Sequence, residues 1–263
     1  MNKMLMFLII FLISSFAYAT YYIGAKSENT WENNWKDPWR GNDVCSYWYS
    51  TMGYYSSIDQ ISYTSLGSAK TRYETDGDQN STYGLDAFDI YLHCGHSGHY
   101  YTSNDGVHNA QWHMWNEDTR ALSKNMRLGD ETRELKLFST YGCAQMYDED
   151  GHRLERWNPI FKGGLKFATG FWELAWLFGS DYTSNRQLGI DYAQYLNTTN
   201  KTVKYAWWDA VKEHPDNKPA VLASGASQSN AASRRDNMRM VDLPNYSVLR
   251  DGDVDWLGWT QWR

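Results

Sequence analysis

The chain has 263 residues, a formal net charge of −6 and no lysine or arginine run, which argues against a nucleic-acid groove or an anionic membrane surface as its main partner. Its length suits one large α/β domain with a sizeable core. The 14 tryptophans and 20 tyrosines are spread along the chain and read as core and amphipathic surface, with sugar or peptide stacking as the sharper alternative.

The N-terminus reads as a secretory signal. Met1-Asn2-Lys3 is a short positive region, Leu5 to Phe16 an apolar stretch, and Ala17-Tyr18-Ala19 a small-x-small cleavage pattern. Residues 1–19 are therefore expected to be removed, leaving 20–263 as one secreted or otherwise extracytoplasmic domain with no membrane contact after cleavage. The most apolar later segment, Phe171 to Phe178, is one helix's worth of core and too short to span a bilayer.

Thr20 to Lys26 reads as a strand, Asn42 to Tyr54 as a helix, Ser65 to Thr82 as a polar surface loop, and Phe88 to Cys94 as a strongly β-prone strand. Asn116 to Leu128 carries a capping residue, early acids, late bases and Gly129 beyond its end, so it predicts a helix. Leu135 to Gly142 is a second buried strand. His152 to Phe161 predicts a helix with Leu154, Trp157 and Phe161 on one face, stopped by Gly163-Gly164, before the strand Leu165 to Phe171. Thr202 to Val211 reads as a helix with Val203, Ala206 and Ala210 inward, and Ala220 to Gly225 as a last short strand. Strands separated by helices imply a mostly parallel central sheet flanked by helices.

Three cysteines, Cys45, Cys94 and Cys143, are an odd number for an exported protein. Pairing Cys45 with Cys94 is the arrangement that leaves Cys143 free, although sequence does not fix it. If the strand ending at Cys94 and the strand ending at Gly142 are parallel neighbours joined by the Asn116 to Leu128 helix, their carboxyl-end loops face one another, where open α/β sheets bind ligands. One loop carries His96 and the other Cys143, so an imidazole can take the proton of a thiol, whose thiolate is the nucleophile. Gly95, Gly98 and Gly142 allow close backbone approach to a developing oxyanion. Ser97, His99, Tyr141 and Gln145 are candidate pocket residues. Ser139 and Thr140 are read mainly as turn formers, the acids Asp148 to Asp150 as caps of the next helix, and Trp157 as that helix's core anchor.

The stretches "FDIYLHCGHSGH" and "LKLFSTYGCAQM" resemble the caspase-like cysteine peptidases, a superfold that includes gingipains, clostripain, legumain and caspases. More narrowly, "GCAQM" with "RWNPIFKGGLKFATGF" after it is similar to an uncharacterised, mostly bacterial domain family of that superfold. The resemblance covers Ala87 to Phe178. It implies a caspase-like three-layer sandwich, a His96/Cys143 dyad, a peptide or protein substrate and no cofactor. Ser97 stands where the family carries glycine, with Gly98 one place later, so the loop has an extra residue, a shifted base or an inactive site.

Two other readings compete. His93, His96 and His99 have HxxHxxH spacing and lie near His108 and His113, a composition that zinc or copper can exploit. A loop does not place such a spacing on one face, there is no HExxH and no carboxylate sits at a ligand-like interval, so no metal is expected. The second alternative is a non-enzymatic extracellular binding domain of the same fold, with Cys143 as an ordinary core residue.

Overall fold

A computed structural model describes residues 21–27, 41–55, 58–64, 73–74, 84–103, 105–113, 120–129, 134–147, 149–173, 175, 182–198, 200–245 and 256–261. The signal segment 1–19 and most of the loop 65–82 lie outside them.

Seven strands form one mixed sheet: β1 (Tyr21–Ser27), β2 (Ile58–Thr64), β3 (Ile90–Cys94), β7 (Leu137–Tyr141), β8 (Phe167–Phe171), β9 (Pro219–Gly225) and β10 (Trp256–Gln261). Their spatial order is β10-β9-β8-β7-β3-β1-β2. The strands β2, β1, β3, β7 and β8 run parallel, whereas β9 is antiparallel to both β8 and β10. The sheet is thus α/β but mixed, which corrects the expectation of a mostly parallel one. The antiparallel edge is completed by β10, so Ala220 to Gly225 is not the last strand.

Alternation along the parallel strands separates two faces. Ile23, Ala25, Ile90, Leu92, Leu137 and Tyr141 join one core with α1 (Gly41–Met52), α3 (Tyr182–Asn197) and α4 (Val203–Val211). Tyr91 and Phe138 join the other with α2 (Arg153–Phe161), through Trp157, Ile160 and Phe161. The helix α1 buries Val44, Cys45, Trp48 and Met52, a helical stripe, and α4 is capped by Thr202 accepting from the Tyr205 amide. Val203, Ala206 and Ala210 face inward as the spacing predicts. The remaining helix, α5 (Gln228–Asn237), packs on β9 and β10.

The chain between β3 and β7 departs furthest from expectation. The helix predicted over Asn116 to Leu128 is not formed. Its described part is β6 (Arg120–Leu122) and a 3-10 turn at Ser123–Asn125. With β4 (Ser97–Thr102) and β5 (Val107–His113), β6 makes a small antiparallel sheet in the order β4-β5-β6. Cap and charge signals are local and weak, whereas Ala121 opposite Trp112 and the Ser123 hydroxyl accepting from the Ala110 amide at 2.9 Å fix a strand instead. The parallel adjacency of β3 and β7 stands without the helix expected to enforce it.

Two smaller corrections concern burial. Leu154 is exposed, and the buried face of α2 is Arg153, Arg156, Trp157, Ile160 and Phe161. Tyr73, inside the segment read as a surface loop, is fully buried and its hydroxyl meets His93 Nδ1 at 2.9 Å. Among the described residues no helix is long and apolar enough to cross a membrane.

At Gly189, α3 touches α1. A Cβ there would overlap the Val44 carbonyl and crowd the Trp48 amide, both of them backbone. Gly189→Ala should therefore force the two helices apart and cost about 1–3 kcal/mol; urea denaturation of the two proteins measures the difference.

Candidate functional site

The strands β3 and β7 pair in parallel, with Leu92 opposite Ser139 and Cys94 opposite Tyr141. The loops that leave their carboxyl ends are bound to one another. The Gly95 amide donates to the Tyr141 carbonyl at 3.1 Å, and Ser97 Oγ donates to the Cys143 carbonyl at 3.2 Å. His96 lies between these two ties, so its loop is held against the turn that carries Cys143. The Gly95 amide is engaged in this tie and serves as a staple.

The turn itself is tight for identifiable reasons. A Cβ on Gly142 would overlap Ser97 Oγ and the Gly95 carbonyl, so only glycine lets the two loops approach this closely. Two residues later Ala144 has φ +47°, a left-handed conformation that costs a non-glycine residue about 1–2 kcal/mol. The turn is pinned by the Ala144 amide donating to the Glu173 carbonyl at 2.7 Å and the Met146 amide donating to the Phe171 carbonyl at 3.0 Å. Strain held by surrounding bonds beside a thiol is the kind of feature that accompanies functional sites.

Gln145, fully buried, joins these pieces. Its Nε2 donates to Ser97 Oγ, its Oε1 accepts from the Phe171 amide at 3.2 Å, and its carbonyl accepts from Trp157 Nε1 at 2.8 Å. It is therefore a positioning residue instead of a pocket wall. Tyr141 is likewise removed from the pocket set: it is buried against Phe171 and Trp207, and its hydroxyl accepts from Asn217 Nδ2 at 3.4 Å. Ser139 bonds the Tyr192 hydroxyl at 2.6 Å and Thr140 accepts from Trp112 Nε1 at 3.3 Å, so both are interior groups. Gly98 lies in β4, half-buried, opposite Gln111.

His96 and Cys143 are both half-buried. Burial pushes the His96 imidazole below its ordinary value, leaving it neutral and able to accept a proton at neutral pH. Burial pushes the Cys143 thiol up and outweighs an opposing backbone hydrogen bond at Ala175, so the sulfur is protonated until a base takes the hydrogen.

The other histidines of the HxxHxxH run diverge. His93 is buried in β3, and His99 is exposed on β4 with its ring stacked on Tyr147 at 4.3 Å. His99 also bonds the Ala144 backbone carbonyl. Among the described residues, the ligand atoms that converge belong instead to His108, His152 and Glu155, all within 4.8 Å of one another. Two of these residues lie at the start of α2, outside the run, and no motif in the sequence marks them.

Cys45 and Cys94 are buried and their thiols hydrogen-bond; Cys45 Sγ also donates to the Lys26 carbonyl at 3.1 Å. All three cysteines are free thiols. The chain belongs to a family described as a domain of unknown function, DUF6345, whose model matches residues 13–242. No curated protein matches it.

The contact between Cys45 and Cys94 carries an expectation. Mild oxidation should join these two and leave Cys143 reducible and alkylatable, read by peptide mapping without reductant. A crosslink that includes Cys143 would contradict the assignment of the pair.

Proposed function

We propose that this DUF6345 protein is an extracytoplasmic, caspase-like thiol hydrolase that cleaves peptide bonds. Cys143 is the nucleophile and His96 the base that removes its proton and then returns it to the leaving amine. The observation that carries the reading is the double tie, Gly95 to Tyr141 and Ser97 to Cys143, which holds the His96 loop against the Cys143 turn. The Gly142 turn and the left-handed Ala144 present the thiol at the carboxyl end of β7, where a substrate carbonyl can approach. Amides of Gly142 and Cys143 are the proposed donors to the tetrahedral oxyanion. The signal-like N-terminus supports export.

In the acylation step the Cys143 sulfur bonds to the substrate carbonyl carbon while His96 takes the thiol hydrogen. Collapse of the tetrahedral species breaks the C–N bond as His96 protonates the amine. Water, deprotonated by His96, then releases the acid and restores the thiol.

A second reading is a binding domain of the same fold without chemistry. It draws on the burial that holds the Cys143 thiol up and on Ser97 at the place of a family glycine. Limiting iodoacetamide at neutral pH separates the two. The enzyme reading requires preferential labelling of Cys143, slowed about 100-fold or more in His96→Ala, and peptide hydrolysis reduced about 1000-fold or more in Cys143→Ala. Labelling that is equal in His96→Ala and wild type supports the binding domain.

The pH profile adds an independent check. Because the neutral imidazole is the active form and burial lowers its affinity for protons, activity should persist as pH falls through about 6.5 and be lost only below it. An acid limb above that pH would contradict the assignment of His96 as base.

A further inference from the structure

On the flank of the molecule, β5 and the start of α2 bring together groups remote in sequence. The His108 and His152 rings lie parallel, with centroids 3.5 Å apart and planes 6° from one another. Glu155 receives the His108 backbone amide on Oε1 at 3.1 Å and approaches His152 Nδ1 with Oε2 at 2.8 Å. We propose that His108, His152 and Glu155 form a binding site for a divalent transition-metal ion of the zinc class, a staple between the small sheet and α2.

Two features favour a cation over a polar contact of no consequence. A nitrogen–nitrogen–carboxylate set suits zinc and its neighbours, and His152 and Glu155, one turn apart, project from the same side of α2. Finally, Asp150, bonded to Arg156, places Oδ2 3.8 Å from His108 Nδ1, beyond hydrogen-bonding distance but near enough to add negative charge beside the cluster.

Ligation asks for modest movement. Zinc–nitrogen and zinc–oxygen bonds of about 2.0–2.2 Å place the donors of a tetrahedral set about 3.4 Å apart, so His152 Nδ1 and Glu155 Oε2 at 2.8 Å must open slightly, and the parallel rings must splay so that their lone pairs converge. His152 and Glu155 side chains are each 42% exposed, which leaves them room to do so. The His152 tautomer with its hydrogen on Nε2 frees Nδ1, so the ion takes the place between Nδ1 and Oε2 now occupied by a hydrogen.

The test is a calorimetric titration of the whole protein with Zn2+, repeated by competition with a chromogenic chelator. Saturation at one ion per chain is expected, with affinity reduced about tenfold or more in His108→Ala, His152→Ala and Glu155→Gln. His214→Ala, which alters a histidine after α4 and outside the cluster, should bind as wild type does. Co2+ in place of Zn2+ should give visible absorption that is lost in His152→Ala. Circular dichroism of each variant identifies any that has failed to fold, and the conservative Glu155→Gln keeps an acceptor for the His108 amide. Absence of saturable binding, or binding that these substitutions leave unchanged, overturns the site.

Discussion

A single buried carboxamide, that of Gln145, holds separate pieces of backbone around the Cys143 turn. Its nitrogen reaches the Ser97 hydroxyl, its oxygen the amide at the end of β8, and its own carbonyl the indole of α2. A buried amide left without partners costs more than its bonds contribute when made, so each of these elements is constrained to meet the others. The close approach at Gly142 depends on the same constraint, because Ser97 is brought over the turn by Gln145 and would collide with any Cβ there. The geometry between the two loops is thus set from beneath, by interior hydrogen bonding, and not by the exposed residues that surround it.

Burial acts on the two proposed reacting groups in opposite chemical directions but to one end. It disfavours charge on both, so the resting pair is thiol and neutral imidazole instead of thiolate and imidazolium. In the proposed reaction, proton transfer then accompanies attack of the sulfur on the electrophile.

The strands that build the site are legible in the sequence because their signal is continuous: "IYLHC" and "LFSTY" are buried at every position, and β-prone runs of that kind have few other uses. Gly142, beside Cys143, is legible too, since the closely approaching loops need it. Hidden features share a different cause. Arg120 to Leu122 takes its conformation from pairing with β5 across a dozen residues, which no local cap can report. The helix α3 has a largely polar sequence, and its role shows in the packing, where Leu188, Tyr192, Ala193 and Leu196 enter the core and Gly189 meets α1. Gln145 and Tyr141 sit beside the candidate nucleophile in sequence, but burial on either side of the turn makes them structural.

The β4-β5-β6 excursion, where a helix is expected from sequence, has consequences beyond topology. The helix expected over Asn116 to Leu128 would cross from β3 to β7 over the sheet, whereas β5 and the 3-10 turn at Ser123–Asn125 pack on α2. That course sets His99 on Tyr147 and onto the Ala144 carbonyl, so the left-handed residue after Cys143 is held from above as well as from below. It also brings His108 to His152 and Glu155 at the head of α2, whose Arg156 donates to the Tyr147 carbonyl at 2.7 Å. One segment therefore links the flank cluster to the Cys143 turn through Tyr147.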